Sequence, residues 1–280
     1  MMETITVGVC QCRVMREVEE IHSWLERIQD TESPCLWVFP ELFMGGFDYF
    51  RRHRCLEMNR KVRAIMQDFA VRTGNVLAGT FWEERAGALY NSLELFTPDQ
   101  GRIDPYRKLH LFRPGQENLY FEPGDHAPCG FTWQGITMGF AVCHDLRYPE
   151  LFLHQHDFEP DLFIVTAQWP MARIEHWQAL LKARAIENQC YVLGCNGTGD
   201  SELGQLAGHS CLITSWGRTV FSLSKETGMK KAALQAEVVL TDRRGFDSRR
   251  SPFFRLEYEH KSDKECPRWT HPSIVRENQP

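Results

Sequence analysis

Apolar residues recur along this chain in short blocks whose spacing switches between a period of two and a period near 3.6. Residues 4–10 alternate in strand fashion, whereas Val18, Ile21, Leu25 and Ile28 within Val14–Ile28 fall at helical spacing. Leu36–Phe39 is a short apolar run that gives way abruptly to Pro40–Glu41 and the glycine-containing loop Met44–Phe47. A second amphipathic helix is predicted over 56–72, with Met58, Val62, Ile65, Met66 and Phe69 on its inner side. Val76–Trp82 and Tyr90–Phe96 read as paired strands about a turn at Glu84–Ala88, and Ile103–Tyr106 follows the turn signal Pro98–Gly101.

The alternation continues in the second half. The stretch GFAVCHDLRYPELF at 139–152 carries an apolar run into Cys143 and a polar turn of His144, Asp145 and Arg147, with a helical pattern beginning near Tyr148–Pro149–Glu150. Leu162–Val165 and Tyr191–Gly194 read as strands on either side of an amphipathic helix over Arg173–Gln189, whose core face is assigned to Trp177, Leu180, Leu181 and Ile186. Ser210–Thr214, Thr219–Ser222 and Ala233–Leu240 are β-like. Helices alternating with strands and neighbouring hairpins predict a layered α/β protein, with sheets covered by helices. After about residue 245 the composition turns charged and proline-bearing. The expected organisation is one domain over 1–245 and an extension over 246–280 that packs on a partner subunit.

Composition adds exclusions more than assignments. A formal net charge of −5 gives no basic field, so nucleic acid is not an expected partner. No stretch is long and apolar enough to span a membrane, and the opening ITVGVCQC carries no basic leader. Ten cysteines without a C-x-x-C pair fit a reduced, cytoplasmic protein whose thiols pack as small hydrophobes. His154, His156 and Asp157 lack the further ligands of a metal centre and read as an exposed helix end. No phosphate-binding glycine pattern occurs, so neither metal nor organic cofactor is expected.

Candidate chemistry lies where apolar runs end. Glu41, Lys108 and Cys143 each follow one, and polar side chains at strand ends gather at a sheet edge, where ligand clefts form. A thiol, a carboxylate to move its proton and an ammonium to hold an oxyanion make a coherent set for acyl transfer. On its own stretch Cys143 reads equally as a buried residue closing a core strand. The segment 107–128 is too long for an idle connection and holds Lys108, His110, Arg113 and Glu117.

The blocks FPELF at 39–43, YRKLHLF at 106–112 and CHDLRYPELF at 143–152 resemble the catalytic blocks of the nitrilase (carbon–nitrogen hydrolase) superfamily. QWP at 168–170, HWQALLKARAIENQCYVLGCNGTG at 176–199 and GHS at 208–210 extend the resemblance, in the superfamily's order, over roughly 4–245. It implies a four-layer αββα sandwich that associates as a homodimer through a helical face. Carried over position by position, it implies Cys143 as nucleophile, Glu41 as general base and acid, Lys108 as oxyanion stabiliser and Glu117 as a second glutamate orienting Lys108 or the amide.

Within the superfamily, the CxDLRYPEL pattern with QWP and ARAIENQ is most similar to the omega-amidase branch, which hydrolyses the terminal amide of acids such as 2-oxoglutaramate and succinamate. That implies a small-molecule amide substrate whose distal carboxylate needs a cation, with Arg147 and Arg173 as candidates. Trp169 is expected to wall the pocket, and His144, which replaces a common aromatic residue, to shape it. A carbamoylase or nitrile-hydrolysing member, and a non-catalytic scaffold that keeps the fold, are the competing readings.

Overall fold

The structure is a computed structural model that describes residues 4–29, 33–246 and 249, with a two-residue strand pairing at 269–270. The expected 246–280 extension therefore lies almost wholly outside the described residues. The elements run β1 (Thr4–Gln11), α1 (Glu20–Gln29), β2 (Leu36–Val38), α2 (Arg52–Thr73), β3 (Val76–Arg85), β4 (Ala88–Thr97) and β5 (Gly101–Arg107). There follow β6 (Phe131–Trp133), β7 (Ile136–Val142), α3 (Pro149–His154), β8 (Leu162–Ala167), α4 (Ile174–Asn188) and β9 (Tyr191–Asn196). The chain then forms β10 (Thr198–Ser201), β11 (Gly204–Ala207), β12 (Cys211–Ile213), β13 (Thr219–Ser222), β14 (Gly228–Gln235), α5 (Ala236–Gly245) and β15 (Trp269–Thr270).

Two mixed sheets face each other. One has the order β14-β1-β2-β3-β4-β5 and the other β13-β12-β9-β8-β7-β6-β15. In each, three central strands are parallel, β1-β2-β3 and β7-β8-β9, and the flanking strands are antiparallel. Central parallel strands are covered on both faces, which is why LFIVTA of β8 and LWV of β2 are apolar throughout and buried at every position. The largest core joins the two inner faces, Val7, Val38 and Leu95 against Phe140, Ile164 and Leu193, and continues onto α3 and α4 through Phe152, Trp177 and Leu181. A second core seats Ile21 and Leu25 of α1 and Val62, Met66 and Phe69 of α2 against Trp37 and Phe81. Helices, sheet, sheet and helices give the αββα sandwich.

Several sequence expectations shift for identifiable reasons. The helix expected from Val14 begins only at Glu20, because Met15 pairs by backbone with the loop after Glu41 (Met15 N to Phe43 O 2.8 Å, Gly45 N to Met15 O 2.9 Å). The Glu20 carboxylate accepts from the N–H groups of Arg16 and Glu17 at 2.7 and 2.9 Å, closing the turn before the helix. The strand expected over Ala233–Leu240 divides. Its pairing with β1 ends at Thr4↔Gln235, and α5 starts at the next residue. On α4, Ile186 is exposed, and Arg184 and Asn188 take the inner face instead. Arg184 Nη2 donates to Leu146 O at 2.8 Å, and Asn188 Oδ1 meets His156 Nε2 at 2.6 Å. That contact buries His156, which is not an exposed helix end. The β10–β11 hairpin is an element the apolar pattern did not predict. Among the described residues eight cysteines are free and buried, and Cys129 is disulfide-bonded, a departure from the expectation of packed thiols alone.

Candidate active site

Three strand ends from the two sheets converge. β7 runs directly into Cys143, whose φ of +48° opens the 3₁₀ turn Cys143–Arg147. A side chain in the left-handed region costs about 1–2 kcal/mol, so the neighbours must hold it there. Asp145 of the same turn does so, accepting from Val142 N at 3.0 Å. Glu41 follows β2 through Phe39–Pro40, and the next residue, Leu42, has φ +39° with its N–H on Thr80 Oγ1 at 2.7 Å. Lys108 follows β5 at once, its N–H donating to Asn91 O at 3.0 Å.

These placements bring Glu41, Lys108, Glu117 and Cys143 into one buried group; the two glutamates are 0% exposed, Lys108 1% and Cys143 8%. Lys108 Nζ donates to Glu41 Oε1 and Glu117 Oε2, both at 2.7 Å. Asn91 Nδ2 donates to the other side of the pair, Glu41 Oε1 at 2.8 Å and Glu117 Oε1 at 3.0 Å. Glu117 Oε2 also accepts from Phe112 N at 2.6 Å, and Glu41 Oε2 from Gln168 N at 3.0 Å. Cys143 lines the same cleft as Glu41, Lys108 and Gln168, close enough for the carboxylate and the ammonium to act on its thiol.

Electrostatics follow from this packing. Burial pushes the Cys143 thiol well above its ordinary value, the Glu41 carboxylate adds to the rise, and Lys108 opposes it. The resting sulfur is therefore a neutral thiol facing a carboxylate. Burial works against the Lys108 charge, yet Glu117 and Glu41 outweigh it and hold the ammonium well above its ordinary range. Glu117 is raised by burial, with Lys108 opposing and Glu41 reinforcing. Two carboxylates share one ammonium.

A narrow cleft lies over this group, walled by Phe47, Phe112, Trp169, Pro170 and Leu203 and bearing His144, Arg147 and Arg173. Arg147 lies over the Trp169 ring at 4.9 Å with Nη2 3.1 Å from His176 Nδ1, and Arg173 lies 5.4 Å from the Phe112 ring centre. Neither guanidinium meets a carboxylate among the described residues. His144 is pushed down to about 4 by burial and by the neighbouring Lys108 and Arg147 charges, which makes its imidazole neutral near pH 7. Among the described residues, no group of three or more His, Cys, Asp or Glu could hold a metal ion, and no helix is long and apolar enough to cross a membrane.

Sequence reasoning passed over the residues that hold this group. Asp145 is buried and accepts four hydrogen bonds, from Val142 N, Tyr106 Oη, His110 N and His110 Nδ1, at 2.8–3.0 Å. Asn91 bridges both glutamates, and Gln168 spans Glu41 through its N–H and through Nε2 to Glu41 O at 2.9 Å.

The carbon-nitrogen hydrolase family profile matches residues 6–244. The chain belongs to that family. It is 34% identical to omega-amidase YafV of Yersinia enterocolitica over 241 residues, covering 86% of this chain and 88% of that protein. It is 32% identical to 2-oxoglutaramate amidase of Bacillus subtilis over 202 residues, 71% of this chain and 78% of the relative. Among solved structures, XC1258 from Xanthomonas campestris, a CN-hydrolase superfamily protein with an arsenic adduct in its active site, superposes with a TM-score of 0.83 at 27% identity, covering 91% of this chain and all (100%) of that one. In this carbon–nitrogen hydrolase the buried Glu–Lys–Glu–Cys group and its cleft are the candidate active site.

Proposed function

We propose that the protein is an omega-amidase-like amidohydrolase. It cleaves the terminal carboxamide of a small acid of the 2-oxoglutaramate or succinamate type to the acid and ammonia. The observation that carries the reading is the buried group of Cys143, Glu41, Lys108 and Glu117 beneath a cleft bearing two guanidiniums that meet no carboxylate among the described residues. The names of the relatives at 32–34% identity support the same substrate class.

In this reading Glu41 takes the thiol proton as the Cys143 sulfur attacks the amide carbonyl carbon. Attack and deprotonation coincide, because the thiol is held neutral until substrate arrives. Two N–H groups of Lys108 are engaged by Glu41 and Glu117, which leaves the third for the oxyanion. Glu41 returns its proton to the nitrogen, the C–N bond breaks, ammonia departs and a Cys143 thioester remains. Glu41 then takes a proton from water, the resulting hydroxide attacks the thioester, and C–S cleavage releases the acid and restores the thiol. Glu117 and Asn91 fix Lys108 and Glu41 against each other. Arg147 and Arg173 receive the distal carboxylate, while Trp169 and neutral His144 wall the chain between.

We further propose a cytoplasmic homodimer. Exposed Ile186 of α4 and Trp216, beside Gly217 that abuts Ile186, support association through that helical layer; the free buried thiols among the described residues support a reducing compartment, and the disulfide at Cys129 counts against it. The central test is an amide panel with and without hydroxylamine. Ammonia from succinamate or 2-oxoglutaramate, diverted to a hydroxamate by hydroxylamine and lost in Cys143→Ala, is expected. Release from an N-carbamoyl amino acid or a nitrile but from neither monoamide would overturn the reading.

A further inference from the structure

The hairpin β10–β11 crosses the cleft from one wall to the other. Its base is fixed on the Trp169–Pro170 side, where Ala207 N donates to Trp169 O at 2.9 Å and Leu206 bridges Pro170. Its tip is the residue pair Glu202–Leu203, closed by Gly204 at φ +93° and by Ser201 Oγ, which accepts from Leu203 N at 3.1 Å. The tip reaches the loop after Glu41. The Glu202 carboxylate pairs with Arg16 Nη2 at 2.6 Å and accepts from Phe47 N at 3.3 Å, and Arg16 Nη1 holds Gly45 O at 2.9 Å.

Two glycines make room for the two tip residues. A Cβ at Gly46 would stand 2.7 Å from Glu202 Oε2, and one at Gly115 would stand 2.8 Å from Leu203 Cδ2. Leu203 therefore packs on the backbone of the loop that carries Glu117, while itself lining the cleft beside Phe47 and Phe112. Leu203 packs against the cluster that contains Phe47 and against Gly115, and it shares the cleft lining with Trp169.

We infer that Leu203 sets the length and bulk of the acyl chain the site accepts, and that the Glu202–Arg16 pair is the positioning contact that holds it over the cleft. The inference rests on the amidase reading only for the identity of the chain. The wall itself is a steric property of the route to Cys143. Arg16 and Glu202 are partly exposed (side chains 42% and 28%), so their pair is a modest tether, and its loss loosens the tip without removing it. Leu203 acts by volume, where one methylene in an apolar pocket is worth about tenfold or more in selectivity.

Two readouts on Leu203→Ala, Glu202→Ala and Arg16→Ala decide it. The first is kcat/KM for succinamate, glutaramate and adipamate. Leu203→Ala is expected to raise the adipamate-to-succinamate ratio about tenfold. Glu202→Ala and Arg16→Ala should each raise KM for succinamate about two- to fivefold, the double variant no more than either single. The second readout needs no turnover: the rates at which iodoacetamide and the bulkier iodoacetanilide alkylate Cys143, followed by mass spectrometry. Leu203→Ala should raise the bulky-to-small ratio about tenfold, with Glu202→Ala moving it in the same direction. An unchanged alkylation ratio overturns the inference, as does an unchanged chain-length preference in protein that hydrolyses succinamate. If no monoamide is hydrolysed, the amidase reading fails, and the alkylation ratio still decides the role of Leu203.

Discussion

The Tyr106 hydroxyl donates to Asp145 Oδ2 at 2.8 Å across 39 positions of chain, and this contact joins the strand end that carries Lys108 to the turn that carries Cys143. Tyr106 Oη also accepts from Leu109 N at 2.9 Å, so one phenol orders both segments. Tyr106→Phe keeps the ring and removes both bonds, leaving a buried carboxylate one donor short. Hydrogen bonds to charged groups contribute about 1.5–3 kcal/mol, and a misplacement near 1 Å costs about 10²-fold in rate. The expected outcome is a stability loss of about 2 kcal/mol by urea melts and a fall in kcat of at least about tenfold. Unaltered kcat in a destabilised variant would show that the contact serves the fold alone.

Glu41 is both proposed base and, after burial, the largest influence raising the Cys143 thiol. Glu41→Gln therefore separates two properties that usually travel together. Without the carboxylate the remaining charged neighbour is Lys108, which favours thiolate, so the pH midpoint for Cys143 alkylation should move down. Turnover should nonetheless drop by at least about 10²-fold, because no group remains to carry the proton to the leaving nitrogen. A midpoint that stays put or rises would contradict the electrostatic account.

How far this site could be read beforehand depended on distance along the chain. Cys143, Glu41 and Lys108 each end an apolar run, and a polar residue there is visible locally. Loop length marked 107–128 as functional, and the resemblance to the superfamily singled out Glu117 within it. Asp145, Asn91 and Gln168 work through partners 39, 50 and 127 positions away, and no local pattern displays such pairings. Runs such as LFIVTA, buried throughout, made sheets covered by helices legible, whereas the four-layer αββα arrangement was implied by the resemblance to the superfamily. The β10–β11 hairpin was invisible because GDSELGQLA has almost no apolar alternation, its strands being held by backbone pairing and by Glu202. The inner face of α4 was misjudged at Ile186 because Arg184 and Asn188 enter the core with hydrogen-bond partners from elsewhere, which apolar periodicity does not register.

His144 gives a prediction for acid pH. Its folded-state value of about 4 lies below the 6.5 of an unperturbed imidazole. Well above pH 6.5 both states are neutral there and the group adds nothing to stability; at pH 6.5 the unfolded imidazole is already half protonated. As pH falls from 6.5 toward 4 the unfolded chain binds the proton first, so the folded state loses stability across that window. His144→Phe removes the titrating group and keeps an aromatic ring. The fall in Tm between pH 6.5 and 4 should therefore be smaller in the variant than in the parent, measured at matched ionic strength. Identical pH dependence in the two proteins would refute the assignment.

Arg147 and Arg173 are the residues on which the proposed substrate class stands or falls. Each lies against an aromatic ring, Trp169 and Phe112 respectively, and neither meets a carboxylate among the described residues. Ring stacking keeps a guanidinium planar to the wall while leaving its N–H edge available to a ligand carboxylate. A charge-assisted bond of about 1.5–3 kcal/mol corresponds to about 10–100-fold in affinity. Arg147→Ala and Arg173→Ala should accordingly raise KM for succinamate by about that factor. Propionamide, which has the same scissile group and no distal charge, should shift by less than about threefold. Arg→Lys at the arginine that holds the carboxylate in two-point fashion should recover only part of the loss, because an ammonium offers a point charge where the guanidinium offers a fork. Should both amides weaken equally in either variant, that arginine shapes the cleft rather than binding the carboxylate, and the charged-substrate reading would have to give way to a neutral amide.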